Sequence, residues 1–195
     1  EKVPPSVLAR LPFVVGEQET YFTDQHQAVP IEGYTALIER MLDHPKIELR
    51  LGEEYPWVLG RWDWKGEEWK GVVWTGSPDD LFGEHGALPY RSVNFECRPR
   101  GLRAAPAPYI TITDPHQDGP TRMTDMGLMA GLSLGSASPR VEDRPCAYVP
   151  GKNDPFYPIP LEKNIRLAQE YERRLPKHVW LAGRLGSYSY LHMDQ

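Results

Sequence analysis

The residues best suited to chemistry stand near the end of the sequence, in residues 183–195 (GRLGSYSYLHMDQ). Arg184 follows a hydrophobic run, and Tyr188 and Tyr190 stand two residues apart. A guanidinium binds phosphate oxygens through a bidentate fork, and phenols donate hydrogen bonds without adding charge. The pattern therefore indicates a cradle for a diphosphate, although a terminal strand with solvated tyrosines is an open alternative.

A second group of residues suits a divalent cation. Asp114, His116 and Asp118 follow the β-branched run YITIT at alternate positions, so they would project together if the strand continued. Carboxylates with an imidazole suit Mn²⁺, and suit Mg²⁺ less well because of the nitrogen ligand. His192 and Asp194 form a second pair of the same kind. Because Asp-Pro and Asp-Gly are turn dipeptides, a plain exposed turn is the alternative for the first group.

Two further positions could join an active site. His26 lies with Asp24 in the polar-aromatic run at residues 21–30, and a histidine near its free pKa can act as a base. Arg122 follows Gly-Pro-Thr and could clamp an anionic substrate. Taken singly, the run at residues 21–30 is more typical of a hairpin edge, and a lone loop arginine such as Arg122 is more typical of a surface charge.

Composition limits the classes of function. Among 195 residues, 27 acidic side chains exceed 22 basic ones, and the net charge of −5 argues against a nucleic-acid binder. Apolar runs are shorter than the roughly 20 residues of a membrane helix, and a secretory leader is not recognisable, so a cytoplasmic protein is predicted.

Cys97 and Cys146 are expected to be free thiols, with a disulfide as the alternative. No two of the 17 glycines are separated by a single residue, so the dinucleotide fingerprint is absent from these residues.

The elements that would position these side chains are short. Apolar residues at 3–4 spacing predict a helix over residues 32–44 and another from Pro160 onward. Residues 57–75 are typical of a hairpin that turns at residues 65–68. Further strands are predicted at residues 47–51, 91–97, 109–113 and 179–182. The sequence thus predicts a single domain over residues 1–195, of mixed α/β class, with a prominent antiparallel sheet and a few helices.

Together, these segments resemble one family, the UDP-galactopyranose mutases, which interconvert pyranose and furanose forms of a nucleotide sugar. The matching blocks, in order, are YFTDQHQAVPIEGYTALIERML (21–42), WTG through HGALPYRSVNFE (74–96), Thr121-Arg122, FYP with KN (156–164) and GRLGSYSYLHMDQ (183–195). The resemblance implies an isomerase, and an α/β fold that lacks the family's N-terminal dinucleotide-binding βαβ unit.

The resemblance also implies roles for individual residues. Arg122 matches an arginine that binds the substrate diphosphate, and Tyr157 and Tyr190 match tyrosines that hydrogen-bond the same group. Arg184 matches an arginine near the family's flavin. The resemblance places further substrate-binding residues at Gln27, Asn164 and Tyr188.

Departures from the family pattern bear on the chemistry. Val14 stands where the family has a second diphosphate arginine, while His26 replaces a tyrosine and His192 replaces an aspartate. The family's reduced flavin supplies the nucleophile, and its fingerprint has no counterpart in these residues. We therefore expect a flavin-free mutase, similar to the GDP-L-galactose mutase type, in which a divalent metal (Mn or Mg) assists. Arg122, His26 and His192 are the expected catalytic residues, and Asp114, His116, Asp118 and Asp194 the expected metal ligands.

Several alternatives stay open on sequence grounds. The chain could be a truncated flavin enzyme, or a nucleotide-sugar-binding module without catalysis. A carboxylate such as Asp114 could serve as a temporary nucleophile in place of a histidine base. The expected substrate is a GDP-hexose such as GDP-L-galactose, bound without FAD or NAD and without nucleic-acid or membrane partners, and a homodimer is a further expectation.

Overall fold

The computed structural model describes residues 16, 24–53, 63–64, 67–99, 107–112, 119–131 and 139–191, and the fold is given for these. Their helices are α1 (Gly33–Leu42), a 3₁₀ turn (Asp79–Phe82), α2 (Met126–Met129), α3 (Glu162–Arg174) and α4 (Gly183–Gly186). Their strands are β1 (Asp63–Trp64), β2 (Glu67–Glu68), β3 (Val72–Trp74), β4 (Tyr90–Pro99), β5 (Tyr109–Thr111), β6 (Arg122–Asp125), β7 (Pro139–Ala147), β8 (Tyr157–Pro158) and β9 (Val179–Leu181).

The strands form three sheets. Five of them lie in the order β5-β6-β7-β4-β8, and the β5–β6, β6–β7 and β4–β8 pairs are antiparallel. β1 pairs with β2 antiparallel, whereas β3 pairs with β9 in parallel, Val72 opposite Val179. The predicted mixed α/β class with a prominent antiparallel sheet is confirmed. In the described part of the chain, no helix is both long and apolar enough to cross a membrane.

Two of the predicted strands need correction. The hairpin is present as β1 and β2, but Glu67 and Glu68, expected in the turn, are the paired residues of β2, and β3 leaves the hairpin to join β9. Residues 47–51 form no strand, and Ile47, Leu49 and Leu51 are exposed. An alternating pattern makes a strand only where a neighbour supplies the hydrogen-bond ladder.

The chain divides into two compact units, each described by itself. The first comprises residues 1–21, 54–92 and 146–195 and contains β3, β8, β9, α3 and α4. The second comprises residues 22–53 and 93–145 and contains α1, β5, β6, α2 and most of β4 and β7. The single domain over residues 1–195 stays a prediction. Cys97 and Cys146 are free cysteines.

The hydrophobic core of the first unit is rich in tyrosine. Its buried members are Leu88, Tyr90, Ala168, Tyr171 and Tyr188. The predicted helix after Pro160 is confirmed as α3, whose buried face includes two of these residues, one helical turn apart. In the second unit, the helix predicted over residues 32–44 is confirmed as α1, but none of its residues is buried, so the apolar face expected there is not covered by the described residues.

Candidate functional site

The first unit brings one arginine and two tyrosines of the predicted site together. The Tyr157 and Tyr190 rings stack, with centroids 5.3 Å apart and planes 22° apart. The guanidinium carbon of Arg184 lies 4.6 Å from the Tyr157 ring centroid and 5.9 Å from that of Tyr190. Because a guanidinium stacks well on aromatic faces, these contacts orient the cation beside two phenols.

Arg184 is also tied to its own loop. Its Nε and Nη2 donate hydrogen bonds to the Leu191 carbonyl oxygen, at 3.0 and 2.7 Å. A guanidinium carries five N–H groups, and the remaining three have no hydrogen-bond partner within the part of the chain that the structure describes. One edge of the cation is therefore fixed by the protein, and the other keeps the donors that a phosphate oxygen would need.

Tyr157 is positioned by the pairing of two strands. β8 places Tyr157 opposite Arg91 of β4, and the backbone N–H of Phe156 donates to the Arg91 carbonyl oxygen at 2.9 Å. The β4 residues that pair with β8 are the first two of that strand, Tyr90 and Arg91, and both belong to the first unit. The phenol is thus carried by a hydrogen-bonded strand rather than by a free loop.

Arg184 is positioned by close packing of α4 on the end of β3. The Ala182 N–H donates to the Trp74 carbonyl oxygen at 2.9 Å, just before α4 begins. A Cβ on Gly186 would lie 2.7 Å from that same oxygen, so only glycine allows this approach. The two resembling blocks WTG and GRLG therefore meet through backbone contact.

Tyr188 and Asn164, both predicted to bind substrate, support backbone carbonyls in the structure. The buried Tyr188 hydroxyl lies 2.6 Å from the Pro89 oxygen and 3.2 Å from the Ile159 oxygen, and Asn164 Nδ2 donates to the Ile159 oxygen at 2.8 Å. Burial raises the pKa of Tyr188 to about 12. Tyr188 has a φ of 47°, since the chain turns sharply after α4. Contact of these two side chains with substrate stays a prediction.

A groove of about 440 Å³ borders the aromatic stack within the first unit. Tyr190 lines it beside apolar residues of α3 and hydrogen-bonding side chains that include Gln169, Glu172 and Ser189. Small-molecule sites combine apolar walls with a few polar groups in this way. The groove is therefore large and mixed enough to take part of a sugar or a nucleoside.

In the second unit, Arg122 is paired across the sheet. It lies opposite Asp143 in the β6–β7 register, with Nε and Nη2 at 2.8 and 2.5 Å from Oδ2 of that carboxylate. Asp143 is buried, whereas the Arg122 side chain is 49% exposed. The carboxylate thus orients a cation that still reaches the surface. The role of Arg122 on a diphosphate stays a prediction.

The remaining predicted residues are either exposed or outside the described part of the chain. His26 and Gln27 lie in an exposed irregular segment, and Gln27 Nε2 donates to the Asp24 carbonyl oxygen at 3.0 Å. Among the described residues, no three His, Cys, Asp or Glu side chains are grouped so as to hold a metal. Outside the described residues lie Val14, Asp114, His116, Asp118, His192 and Asp194, so the metal prediction is not tested.

Sequence reasoning missed a buried polar group beneath α4. Ser77, Asp79 and Tyr90 are each less than 5% exposed and are linked by hydrogen bonds. Burial raises the pKa of Tyr90 far above the usual range. The Ser-Pro-Asp-Asp sequence at residues 77–80 indicates only the start of a helix. The burial of its side chains depends on contacts with residues far away in the sequence.

Comparison with known proteins agrees with the motifs at the site. The family described as UDP-galactopyranose mutase matches residues 1–190, and the chain belongs to that family. It is 28% identical to dTDP-fucopyranose mutase of Escherichia coli, over 100% of the chain and 52% of the relative. It is 30% identical to a probable UDP-galactopyranose mutase of Klebsiella pneumoniae, over 99% of the chain and 49% of the relative. It is 31% identical to UDP-galactopyranose mutase of Mycoplasma pneumoniae, over 100% of the chain and 52% of the relative. The chain spans about half the length of these curated relatives.

Proposed function

We propose that this chain acts in a nucleotide-sugar mutase reaction, the interconversion of pyranose and furanose rings, and that Arg184 with Tyr157 and Tyr190 binds the substrate diphosphate. Membership of the family supports the reaction class. The observation that carries the assignment to this site is the Arg184 guanidinium: one edge is bound to the Leu191 carbonyl, and three N–H groups have no partner among the described residues.

In the proposed reaction the diphosphate is the leaving group. Arg184 and the two phenols stabilise its developing charge as the C1–O bond to the diphosphate breaks, and diphosphate binding by Arg122 stays a separate expectation. The sugar 4-hydroxyl loses its proton to His26 or His192 and bonds to C1. The diphosphate then returns to C1 as the bond from C1 to the ring oxygen breaks, and that oxygen takes up the proton. No atom or electron is gained or lost, so the product is the furanose isomer.

We further propose that the substrate is a GDP-hexose such as GDP-L-galactose. In this form of the proposal the reaction needs no flavin, and a divalent cation binds the diphosphate. Histidines at positions 26 and 192 support it, as do the oxygen and nitrogen donors of Asp114, His116, Asp118 and Asp194. These 195 residues hold no G-x-G pair of the kind that binds a dinucleotide pyrophosphate. The relatives are named for UDP and dTDP sugars, so all three bases belong in the assay.

The test is incubation of the purified chain with UDP-galactopyranose, dTDP-fucopyranose and GDP-L-galactose, with furanose product separated by chromatography. We expect product without flavin, its loss in EDTA and its recovery with Mn²⁺. Product that requires reduced flavin would refute the flavin-free form, and product that survives EDTA would refute the metal role. Saturable binding without product in any condition would identify a binding module instead.

A matched pair of variants locates the site. Arg184→Ala should weaken binding of the nucleoside diphosphate, because the fixed donors are lost. Arg166→Ala removes an exposed arginine of α3 whose partner is Glu162, one turn away, and should leave binding unchanged. Equal effects of the two substitutions would show that binding follows overall charge rather than the Arg184 site.

A further inference from the structure

A chain of buried hydrogen-bonding groups ends beside Arg184. Asp79 Oδ2 accepts the Leu88 N–H at 3.1 Å, and Oδ1 accepts the Ser77 hydroxyl. The Ser77 hydroxyl also donates to the Tyr90 oxygen at 2.9 Å, and the Tyr90 phenol donates to the Leu185 carbonyl oxygen at 3.2 Å.

The Leu185 carbonyl belongs to α4, directly after Arg184. A single helical turn has little stability of its own, so its orientation depends on outside contacts. The Tyr90 ring is itself fixed, edge-on to Tyr148 with centroids 6.1 Å apart and to Tyr188 at 5.2 Å. The phenol oxygen therefore offers α4 a rigid point of attachment.

Tyr90 lies on the same strand pair that carries Tyr157. In the β4–β8 register, Tyr90 is opposite Pro158, and the next residue, Arg91, is opposite Tyr157. The hydrogen bond from Tyr90 to Leu185 thus links the strands that hold one half of the stack to the helix that holds Arg184. A change at Tyr90 would alter the distance between them.

We propose that Tyr90 is a positioning residue for Arg184: its hydroxyl, oriented by Ser77 and Asp79, keeps α4 where the guanidinium covers the Tyr157 ring. This proposal rests on the proposed function insofar as Arg184 is assigned to the diphosphate. The positioning itself is a property of the chain without ligand.

The test compares Tyr90→Phe with Tyr171→Phe. Tyr171 is also a core phenol, but it donates its hydrogen bond to Glu84, at 2.5 Å, away from α4. Affinity for UDP, dTDP and GDP is measured by calorimetry, and unfolding midpoints are measured in parallel. We expect Tyr90→Phe to weaken binding about tenfold, the equivalent of one hydrogen bond of about 1.4 kcal/mol. Tyr171→Phe should stay within about twofold of the parent even though both variants lower the midpoint.

Two further measurements separate positioning from a loss of stability. The Tyr90→Phe substitution made in an Arg184→Ala background should cause no further loss of affinity, whereas additive losses would overturn the proposal. The ¹⁵N–¹H signal of Arg184 Nε, recorded without ligand, should exchange faster with solvent in Tyr90→Phe and be unchanged in Tyr171→Phe. An unchanged signal in Tyr90→Phe would also overturn it. If the parent chain binds no nucleoside diphosphate, the proposed function fails, but this signal still decides whether Tyr90 positions Arg184.

Discussion

Replacing Gly186 by alanine should displace α4, because the new methyl group would overlap a backbone oxygen. The Cβ would lie 2.7 Å from the Trp74 carbonyl oxygen, about 0.6 Å inside a weak C–H···O contact of about 3.3 Å. That oxygen already accepts the Ala182 N–H at 2.9 Å, so movement of either partner strains the hydrogen bond. Overpacking of this kind costs about 1–3 kcal/mol. For a chain of this size, the thermal midpoint should fall by roughly 2–12 °C.

The assay is thermal unfolding followed by circular dichroism, with calorimetric titration of UDP. Gly16→Ala is the matched control, since a Cβ there meets no atom of the described residues within 4 Å and the glycine does not need a positive φ. Its midpoint should stay within about 2 °C of the parent, as expected for a surface change of about 0.5 kcal/mol. Because Gly186→Ala also moves Arg184, affinity for UDP should fall with it. A Gly186→Ala chain with the parent's midpoint and affinity would refute the close packing of α4 on β3.

The remaining predictions concern other hydrogen bonds. Asp143→Asn removes the charged partner of the half-exposed Arg122, so it should change the unfolding free energy by less than about 1 kcal/mol yet weaken nucleoside diphosphate binding; an unchanged Kd would contradict the role of Arg122. Tyr188→Phe leaves the Pro89 carbonyl without its hydroxyl partner and should lower the urea midpoint by the equivalent of about 1–3 kcal/mol. The pKa of the same phenol is about 12 in the fold and about 10 when unfolded, so the stability that it contributes below pH 10 should be lost as the pH rises from 10 to 12. Urea titrations between pH 8 and 11 check this, and the slope should flatten in Tyr188→Phe.

Local patterns predicted the elements whose causes are local. The helix after Pro160 follows from apolar spacing and a favourable first turn, and it is found as α3. β3 shows the limit of this reasoning. Its apolar residues fit the return arm of a hairpin, but Val72 pairs with Val179, far along the chain. Which strand supplies a ladder is a tertiary choice that alternation alone does not contain.

The candidate site shows the same division. The spacing of Arg184 and Tyr190 indicated a phosphate cradle, and the structure places both beside Tyr157, which only the family resemblance had contributed. Tyr188 was expected to join Tyr190 in the phosphate cradle, two residues apart. Instead, α4 ends at Gly186, Tyr188 follows in a turn with a positive φ, and its phenol is buried in the core.

This arrangement favours binding because the Arg184 side chain has already lost conformational entropy before a ligand arrives. A free arginine side chain gives up about 1.5–2 kcal/mol of rotamer entropy when it is fixed. Here the Leu191 carbonyl and the Tyr157 ring fix it during folding, so that loss does not recur when a ligand arrives. The same reasoning explains why Gly186 and Tyr90, which do not touch the guanidinium, should still affect affinity. Each holds α4, and the direction of the three Arg184 N–H groups that find no partner in the described part of the chain follows from the position of that helix.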